Sequence, residues 1–233
     1  MLLTATDRAR FQALELAIPG EVGLALSPVG SSQEIEELGT LRGGLAWSTI
    51  KVPIALAVEA RGSDERDEEL IDAALTVSDN EASLELWGRL GSPEAAAAAV
   101  QDVLASAGDT ATRVEQRILR EGYTPFGQTE WSLRAQAQLM AALPQLPHSE
   151  PIRDHMRRVV PEQRWGLGVL GEDVELKGGW GPDADGRHLV RQMGIVRSRL
   201  AVALAAVPAD GTLESGIAIV ARLAQWLGES LLP

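Results

Sequence analysis

The chain has 233 residues, 45% of them hydrophobic, which is enough for one large domain or two small ones around a proper core. Its formal charge of −12, from 33 acidic and 21 basic residues, argues against nucleic acid or an anionic membrane as the main partner. The absence of cysteine excludes disulfides and a thiolate nucleophile, and the three histidines lack the spacing of a zinc site.

The N-terminus does not have the pattern of a secretory signal, because acidic Asp7 and Glu15 fall within it and no basic segment precedes an apolar run. No apolar run in the sequence approaches the length needed to span a bilayer. We therefore expect a cytoplasmic protein for the chain as written, without a membrane span. Its oligomeric state stays open.

The first 46 residues predict one helix followed by strands. An amphipathic pattern covers residues 4–18 and ends at Pro19-Gly20. A hairpin is predicted for the segments EVGLALSPVG and SQEIEELG around the turn VGSS, after which LRGGLAWS leads to Ser48.

The middle of the chain predicts helices. STIKVPIALAVEARG is apolar enough for a buried helix, and RDEELIDAALTVSDNEASLELWGRLG gives two more, broken at Ser78-Asp79-Asn80. A fourth helix is capped by Ser92, with Pro93 at its first position. Residues 109–130 predict a long loop, and TEWSLRAQAQLMAALPQLP and SEPIRDHMRRVV complete the helical region.

Strand patterns return from about residue 165. Four strands are predicted, in GLGVLG, DVELKGGWG, HLVRQMGIVRS and RLAVALAAVP, as an antiparallel meander followed by a final amphipathic helix. The sequence thus predicts an α/β (α+β) protein in which terminal helices flank an antiparallel sheet. Residues 1–46 and 160–233 would form this sheet domain, and residues 47–159 a helical domain inserted into it.

Ser48 and Lys51 form an S-x-x-K pattern at the start of an apolar helix. Residues i and i+3 lie on the same side of a helix, so the two side chains could touch. The alternative is structural: Ser48 or Thr49 caps the helix, and Lys51 extends its amine to the surface.

Two further polar patterns follow. Ser78, Asp79 and Asn80 lie in a turn between helices, where a hydroxyl and an amide could reach into a cleft, although Asp and Asn also favour turns and caps. Lys177 lies late in a predicted strand and precedes Gly178-Gly179. Glycine lets a ligand lie against the strand, and the alternative is a bulge or an edge strand.

An S-x-x-K at a helix start, an S-D-N in a helical turn and a K-x-G on a strand, in this order, form the signature of serine β-lactamases and penicillin-binding proteins. The chain resembles this superfamily, and its class A β-lactamase-like branch in particular, over nearly its whole length. The resemblance implies a β-lactamase-like fold. Only 30 residues separate Ser48 from Ser78, fewer than in typical class A enzymes, so the helical insert is expected to be reduced.

The resemblance also implies roles for residues of this chain. Ser48 is the acylated nucleophile, and Lys51, with a pKa lowered by burial and by Lys177, accepts its proton. Ser78 passes a proton to the leaving group, Asn80 holds a substrate amide, and Lys177 supplies positive potential for a substrate carboxylate. The backbone N–H groups of Ser48 and Trp180 form the oxyanion hole. No cofactor and no metal ion are expected.

Two positions depart from the family pattern. Gly178 stands where a threonine or serine hydroxyl usually helps to bind the substrate carboxylate, a loss of about 1.5 to 3 kcal/mol unless a nearby arginine compensates. The nearby arginines are Arg187, Arg191 and Arg197. Glu115, in TRVEQR, has a suitable position to activate the deacylating water, but the residues that usually follow are missing. Glu121 and Glu130 are rivals, and a solvated loop carboxylate is the alternative.

Two functions are compatible with these patterns. The first is a serine hydrolase or acyltransferase that forms a Ser48 acyl-enzyme on a small-molecule amide, ester or β-lactam. The second is a catalytically degenerate β-lactamase-fold protein that acts as a binding or regulatory module. Gly178 and the missing export signal favour the second, and the three polar motifs favour the first.

Overall fold

The computed structural model describes residues 2–31 and 34–232 and has a mixed α/β architecture. The α-helices are α1 (Ala5–Leu16), α2 (Lys51–Glu59), α3 (Glu65–Asp72), α4 (Asn80–Arg89), α5 (Pro93–Ser106), α6 (Leu133–Ala142), α7 (Ser149–Arg157) and α8 (Leu213–Leu231). The strands are β1 (Gly20–Pro28), β2 (Glu36–Gly39), β3 (Gly43–Leu45), β4 (Glu130–Ser132), β5 (Val174–Pro182), β6 (His188–Val196) and β7 (Leu200–Pro208). Short 3-10 and π turns connect several of them.

The main sheet is antiparallel, with strand order β2-β1-β7-β6-β5. The ends of the chain build it together, since β1 pairs with β7 from Gly20↔Pro208 to Pro28↔Leu200. The predicted hairpin and the meander of the last three strands are confirmed, and Ser32 of the predicted hairpin turn lies outside the described residues. Strand β5, which carries Lys177, is an edge strand.

Helices cover both faces of the sheet, so successive side chains of β7 point alternately into two hydrophobic cores. Val202 and Leu204 point to the core that includes α1 and α8, where Phe11 and Trp226 make an edge-to-face contact at 5.0 Å. Ala203 belongs to the second core, beneath α6 and the other inserted helices. Small side chains on that face let α6 approach the sheet closely.

Residues 47–159 contain α2 to α7, and residues 109–130 are mainly irregular. Residues 130–132, predicted as part of a helix, instead form β4, which pairs with β3. Ser92 and Ser132 cap α5 and α6 through their side chains. The domain boundaries at residues 46/47 and 159/160 stay predictions. Within the described residues, no helix combines the length and the apolar character that a membrane crossing requires.

The predicted strand GLGVLG is wrong, because Gly166–Leu170 forms a 3-10 helix. Gly166 has a positive φ of 61°, and the buried side chain of Gln192 accepts the backbone N–H of Leu167 and donates to the carbonyl of Trp165. A side chain from the sheet therefore satisfies backbone groups that a strand would have paired with a neighbour. A short apolar run with glycine does not reveal such a partner.

Candidate active site

Ser48 lies on a one-turn 3-10 helix, Trp47–Ile50, that leads directly into α2. Trp47 has a φ of 48°, an uncommon conformation for a non-glycine residue and one that often marks functional sites. Ser48 is half-buried and makes no capping hydrogen bond. The Thr49 hydroxyl instead donates to the Ala46 carbonyl at 2.6 Å. Ser48 is therefore not the helix cap that the structural alternative requires.

The amine of Lys51 is buried, with only 2% of the residue exposed, so it does not extend to the surface. Its Nζ donates to the carbonyl of Ser78 at 2.6 Å and to Asn80 Oδ1 at 2.8 Å. The Asp79 carbonyl at 3.2 Å and Ser78 Oγ at 3.3 Å are further acceptors. Lys51 thus joins α2 to the Ser78-Asp79-Asn80 turn. The Ser48 hydroxyl is not among these four acceptors.

The Ser78-Asp79-Asn80 turn is held in an unusual conformation. A π-helical turn, Ala73–Val77, precedes it, and Ser78 has left-handed backbone angles with φ 63° and ψ 34°. Asp79 caps α4 by accepting the backbone N–H of Ala82 at 2.7 Å. Asp79 therefore anchors the turn, which leaves the side chains of Ser78 and Asn80 to face Lys51.

Lys177 reaches Ser78 from the opposite side. It lies on edge strand β5, is fully buried, and its Nζ donates to Ser78 Oγ at 2.8 Å and to the Gly178 carbonyl at 3.2 Å. Ser78 Oγ consequently lies between two amines. Three segments that are far apart in the chain, at residues 51, 78 and 177, thus meet at one hydroxyl.

Burial lowers the pKa of both amines. The pKa of Lys51 is lowered to about 7 by desolvation, against the opposing effect of the Asp79 charge. The pKa of Lys177 lies well below its usual range because of burial and the nearby Lys51 amine. Near neutral pH, a large fraction of the Lys51 amines are unprotonated and able to accept a proton.

Lysine usage is a further signal in the sequence. Of the 21 basic residues in the chain, only Lys51 and Lys177 are lysines, and the others are arginines. An amine can lose its proton when it is buried, whereas a guanidinium stays charged. At Lys51 and Lys177 the chain therefore has an amine, which can lose its proton, where its other basic positions have a guanidinium.

A cavity of about 460 Å³ opens beside Ser48. Its lining comprises Trp47, Ser48, Lys51, Asn80, Leu84, Ile118, Gly122, Tyr123, Thr124, Pro125, Phe126, Gly127 and Trp180. The loop of residues 118–127 forms one wall and packs against Trp47, beside the serine, through Tyr123. The cavity has room for a small molecule of roughly drug size.

Gly178 and Gly179 let strand β5 approach its neighbours closely. A Cβ atom at Gly179 would lie 2.8 Å from the backbone nitrogen of Ser48, so strand and serine turn are in direct contact. A Cβ atom at Gly178 would lie 3.0 Å from the ring of Trp165, on the other face of the strand. The Trp165 ring packs edge-to-face against Trp180, with ring centroids 5.9 Å apart.

We predict that Gly179→Ala separates β5 from the serine turn. The added methyl would also lie 3.0 Å from the Ala46 carbonyl oxygen and from the Thr49 nitrogen, and backbone atoms move only at a cost. We expect a loss of about 1–3 kcal/mol in the free energy of unfolding, which urea denaturation measures.

Gly88→Ala is the matched control for this prediction. Gly88 lies in α4, and a Cβ atom there would meet no heavy atom within 4 Å. This variant should be neutral or stabilising by about 0.5–1 kcal/mol, since alanine favours a helix. If Gly179→Ala were as stable as Gly88→Ala, the close contact between β5 and the serine turn would not contribute to stability.

None of the three arginines considered as partners for a substrate carboxylate lines the cavity. Arg191 is fully buried and donates to the carbonyls of Gly44, Leu45 and Trp131 and to Gln136 Oε1. Arg187 pairs with Asp183 at 3.0 Å, and Arg197 donates to the Leu232 carbonyl at 2.9 Å. Their guanidinium groups form hydrogen bonds or ion pairs within the protein instead of facing the cavity.

Glu115 is not brought to this cavity. Its carboxylate pairs with Arg117 at 2.9 Å and accepts the backbone N–H groups of Gln116 and Arg117. The hydrogen bond from the Arg117 side chain is the main reason why its pKa is lowered to about 2. Glu115 lines a different cavity, between α5 and the loop, and neither of its rivals, Glu121 and Glu130, lines the Ser48 cavity.

Comparison with solved structures shows a β-lactamase-like fold. The TLA-3 extended-spectrum β-lactamase aligns with a TM-score of 0.79 and 14% identity, over 99% of this chain and 100% of that one. The β-lactamase from Sphaerobacter thermophilus aligns with a TM-score of 0.72 and 19% identity, over 99% and 100%. An ancestral class A β-lactamase aligns with a TM-score of 0.70 and 18% identity, over 96% and 99%.

A scan against protein-family models and a search of curated proteins both found no match for the sequence. At these low identities the structural similarity establishes the fold. What the site does must therefore be argued from its own residues.

Proposed function

We propose that the protein is a serine hydrolase or acyltransferase that forms an acyl-enzyme on Ser48 with a small amide, ester or β-lactam. One observation carries this proposal: the only two lysines of the chain are buried on either side of Ser78, and Lys51 lines the same cavity as Ser48. Burying two amines side by side is costly. A proton relay would explain why the fold accepts that cost.

In the proposed first step, the unprotonated Lys51 amine takes the proton of the Ser48 hydroxyl while Oγ attacks the substrate carbonyl carbon. Lys51 Nζ must turn from its present acceptors toward Ser48, since catalytic hydrogen bonds often form fully only when substrate binds. The backbone N–H groups of Ser48 and Trp180 would stabilise the negative oxygen of the tetrahedral intermediate. Strand β5, which carries Trp180, already lies against the serine turn at Gly179.

When the intermediate collapses, the bond from carbon to the leaving group breaks and the leaving group needs a proton. Ser78 would donate its hydroxyl proton and regain one from the protonated Lys51 or through Lys177, since both amines lie within hydrogen-bonding distance of its Oγ. Asn80 would hold a substrate amide. The space beside Gly178 is taken by the Trp165 ring and that beside Gly179 by the serine turn, so the two glycines position β5 and leave no room for a ligand.

Slow deacylation is part of the proposal. Glu115, the residue suggested by sequence to activate the second water, is paired with Arg117 and lines another cavity. No Asp or Glu is among the described residues that line the Ser48 cavity. Hydrolysis of the acyl-enzyme would therefore lack a general base, which typically contributes 10² to 10⁴ in rate. A long-lived acyl-enzyme, or transfer to an acceptor other than water, is the expected outcome.

Labelling with a fluorophosphonate, followed by peptide mapping, tests the proposal. We expect one adduct per chain, on the peptide that contains Ser48, and no adduct on protein unfolded in urea. An adduct on Ser78 or on another serine would contradict the assignment of the nucleophile. A protein that takes no label but binds small molecules in the cavity would instead be a binding module.

A further inference from the structure

The amine of Lys51, which already forms hydrogen bonds, is the one basic group found at the described lining of the Ser48 cavity. Among the described residues that line the cavity, Lys51 is the only Lys, Arg or His, and its Nζ already has four acceptors on the Ser78-Asp79-Asn80 turn. Lys177 is fully buried behind Ser78 and does not line the cavity. A ligand that enters here therefore meets no accessible cation.

Arg120, which contacts the lining residue Tyr123, is also held by other partners. The guanidinium of Arg120 lies over the ring of Tyr123, 4.6 Å from its centroid, and donates to the carbonyls of Pro182 and Asp183. Tyr123, rather than Arg120, lines the cavity. Arg120 thus fixes the loop of residues 118–127 to the end of β5 instead of facing the ligand.

The strand offers no hydroxyl at the position next to Lys177. Gly178 has none, and a larger residue could not be added simply, because the Trp165 ring lies 3.0 Å from where its Cβ would be. Trp165 also packs against Trp180, which lines the cavity. An aromatic pair stands beside the strand where a hydroxyl and a free arginine would be needed to hold a carboxylate.

Large apolar side chains form much of the lining, and some of them are exposed. Leu84 and Ile118 are 43% and 67% exposed, Trp180 is half-buried, and Trp47 and Phe126 are buried beneath them. Such a surface gains free energy when an apolar ligand covers it. The net charge of −12 adds a repulsive potential for anions.

We propose that this cavity binds substrates with an uncharged, apolar acyl group of about the size of an aromatic ring, and discriminates against acyl groups that carry a carboxylate. This inference rests on the proposed function, because the ligand has an acyl group only if Ser48 is acylated. Its test measures binding and does not require turnover. The occupant would lie between the loop of residues 118–127 and Trp180, with its carbonyl at Ser48.

The test compares a neutral ligand with the same ligand carrying one carboxylate. Phenylacetamide and its 4-carboxylate are titrated into the Ser48→Ala protein at pH 7, and the intrinsic fluorescence of Trp47 and Trp180 reports binding. We expect the neutral ligand to bind at least tenfold more tightly. Equal or tighter binding of the carboxylate would overturn the proposal, and so would failure of the neutral ligand to bind.

Charge placed at the rim should reverse part of this preference. Ile118→Arg puts a guanidinium on an exposed cavity position, and we expect it to reduce the discrimination about fivefold. Leu16→Arg makes the same change in net charge on α1, at a residue that is 83% exposed and far along the chain from the cavity, and should leave the ratio unchanged. Equal effects of both variants would show that only net charge matters.

The two proposals fail in different experiments. Absence of a Ser48 adduct in the wild-type protein would end the proposed acyl-enzyme without changing the binding ratio. A binding ratio near one would end the proposed preference even if Ser48 were fully labelled.

Discussion

Replacing Ser48 by alanine is expected to abolish covalent acylation, with the rate of product release from an activated ester falling about 10⁴-fold or more. The reason is chemical: in the proposed mechanism the Ser48 hydroxyl is the nucleophile, and no cysteine is present to replace it. Intact mass measured over a time course with a neutral nitrophenyl ester checks this. In the wild-type protein a single acyl adduct should appear together with a stoichiometric burst of nitrophenolate.

The control for Ser48→Ala is Ser132→Ala. Ser132 caps α6 by accepting the backbone N–H of Ala135 at 3.1 Å, well outside the lining of the cavity. Its loss should cost about 1 kcal/mol of stability and leave the acyl adduct intact. A burst of undiminished size in Ser48→Ala would remove Ser48 from the mechanism.

Replacing Lys51 by methionine is expected to lower the acylation rate by about 10² to 10⁴, the range typical for loss of a general base. Methionine keeps the volume of the buried chain but has no amine. The wild-type rate should rise about tenfold per pH unit up to about pH 7 and then level off, because Lys51, whose pKa is lowered to about 7, accepts a proton only when neutral. Lys51→Met should lose this dependence.

Lys51→Arg separates charge from basicity in the same position. Arginine restores a cation next to the Ser78 and Asp79 carbonyls, yet it does not lose its proton near neutral pH. We therefore expect Lys51→Arg to be as slow as Lys51→Met. Recovery of most of the wild-type rate in the arginine variant would show that Lys51 acts only through its charge.

Much of the fold was predictable from sequence because periodic patterns report which face of an element is buried. The helix break at Ser78-Asp79-Asn80, the cap at Ser92 and the glycines after Lys177 are local signals, and each was found where expected. GLGVLG was not predictable in the same way. Its 3-10 helix depends on hydrogen bonds with Gln192, which is distant in the chain.

The candidate site was also predictable only where its features depend on local sequence. The S-x-x-K, S-D-N and K-x-G patterns predicted which side chains could meet, but not that Lys51 would point to Asn80 rather than to Ser48. The role of Arg191 could not be read either, since its partners are backbone carbonyls that only the fold brings together. The loop conformation that pairs Glu115 with Arg117 is equally invisible in a sequence pattern.

The most direct test of the central claim is a pH titration of the lysine side chains by NMR. Protein labelled with carbon-13 lysine contains only Lys51 and Lys177 as reporters, and Lys51→Arg assigns the two signals. The account predicts that the Lys51 signal titrates with a midpoint near pH 7 and that Lys177 also titrates well below the usual range. If both signals titrated near pH 10.4, as ordinary lysines do, the Lys51 amine would be charged at neutral pH and could not accept the serine proton.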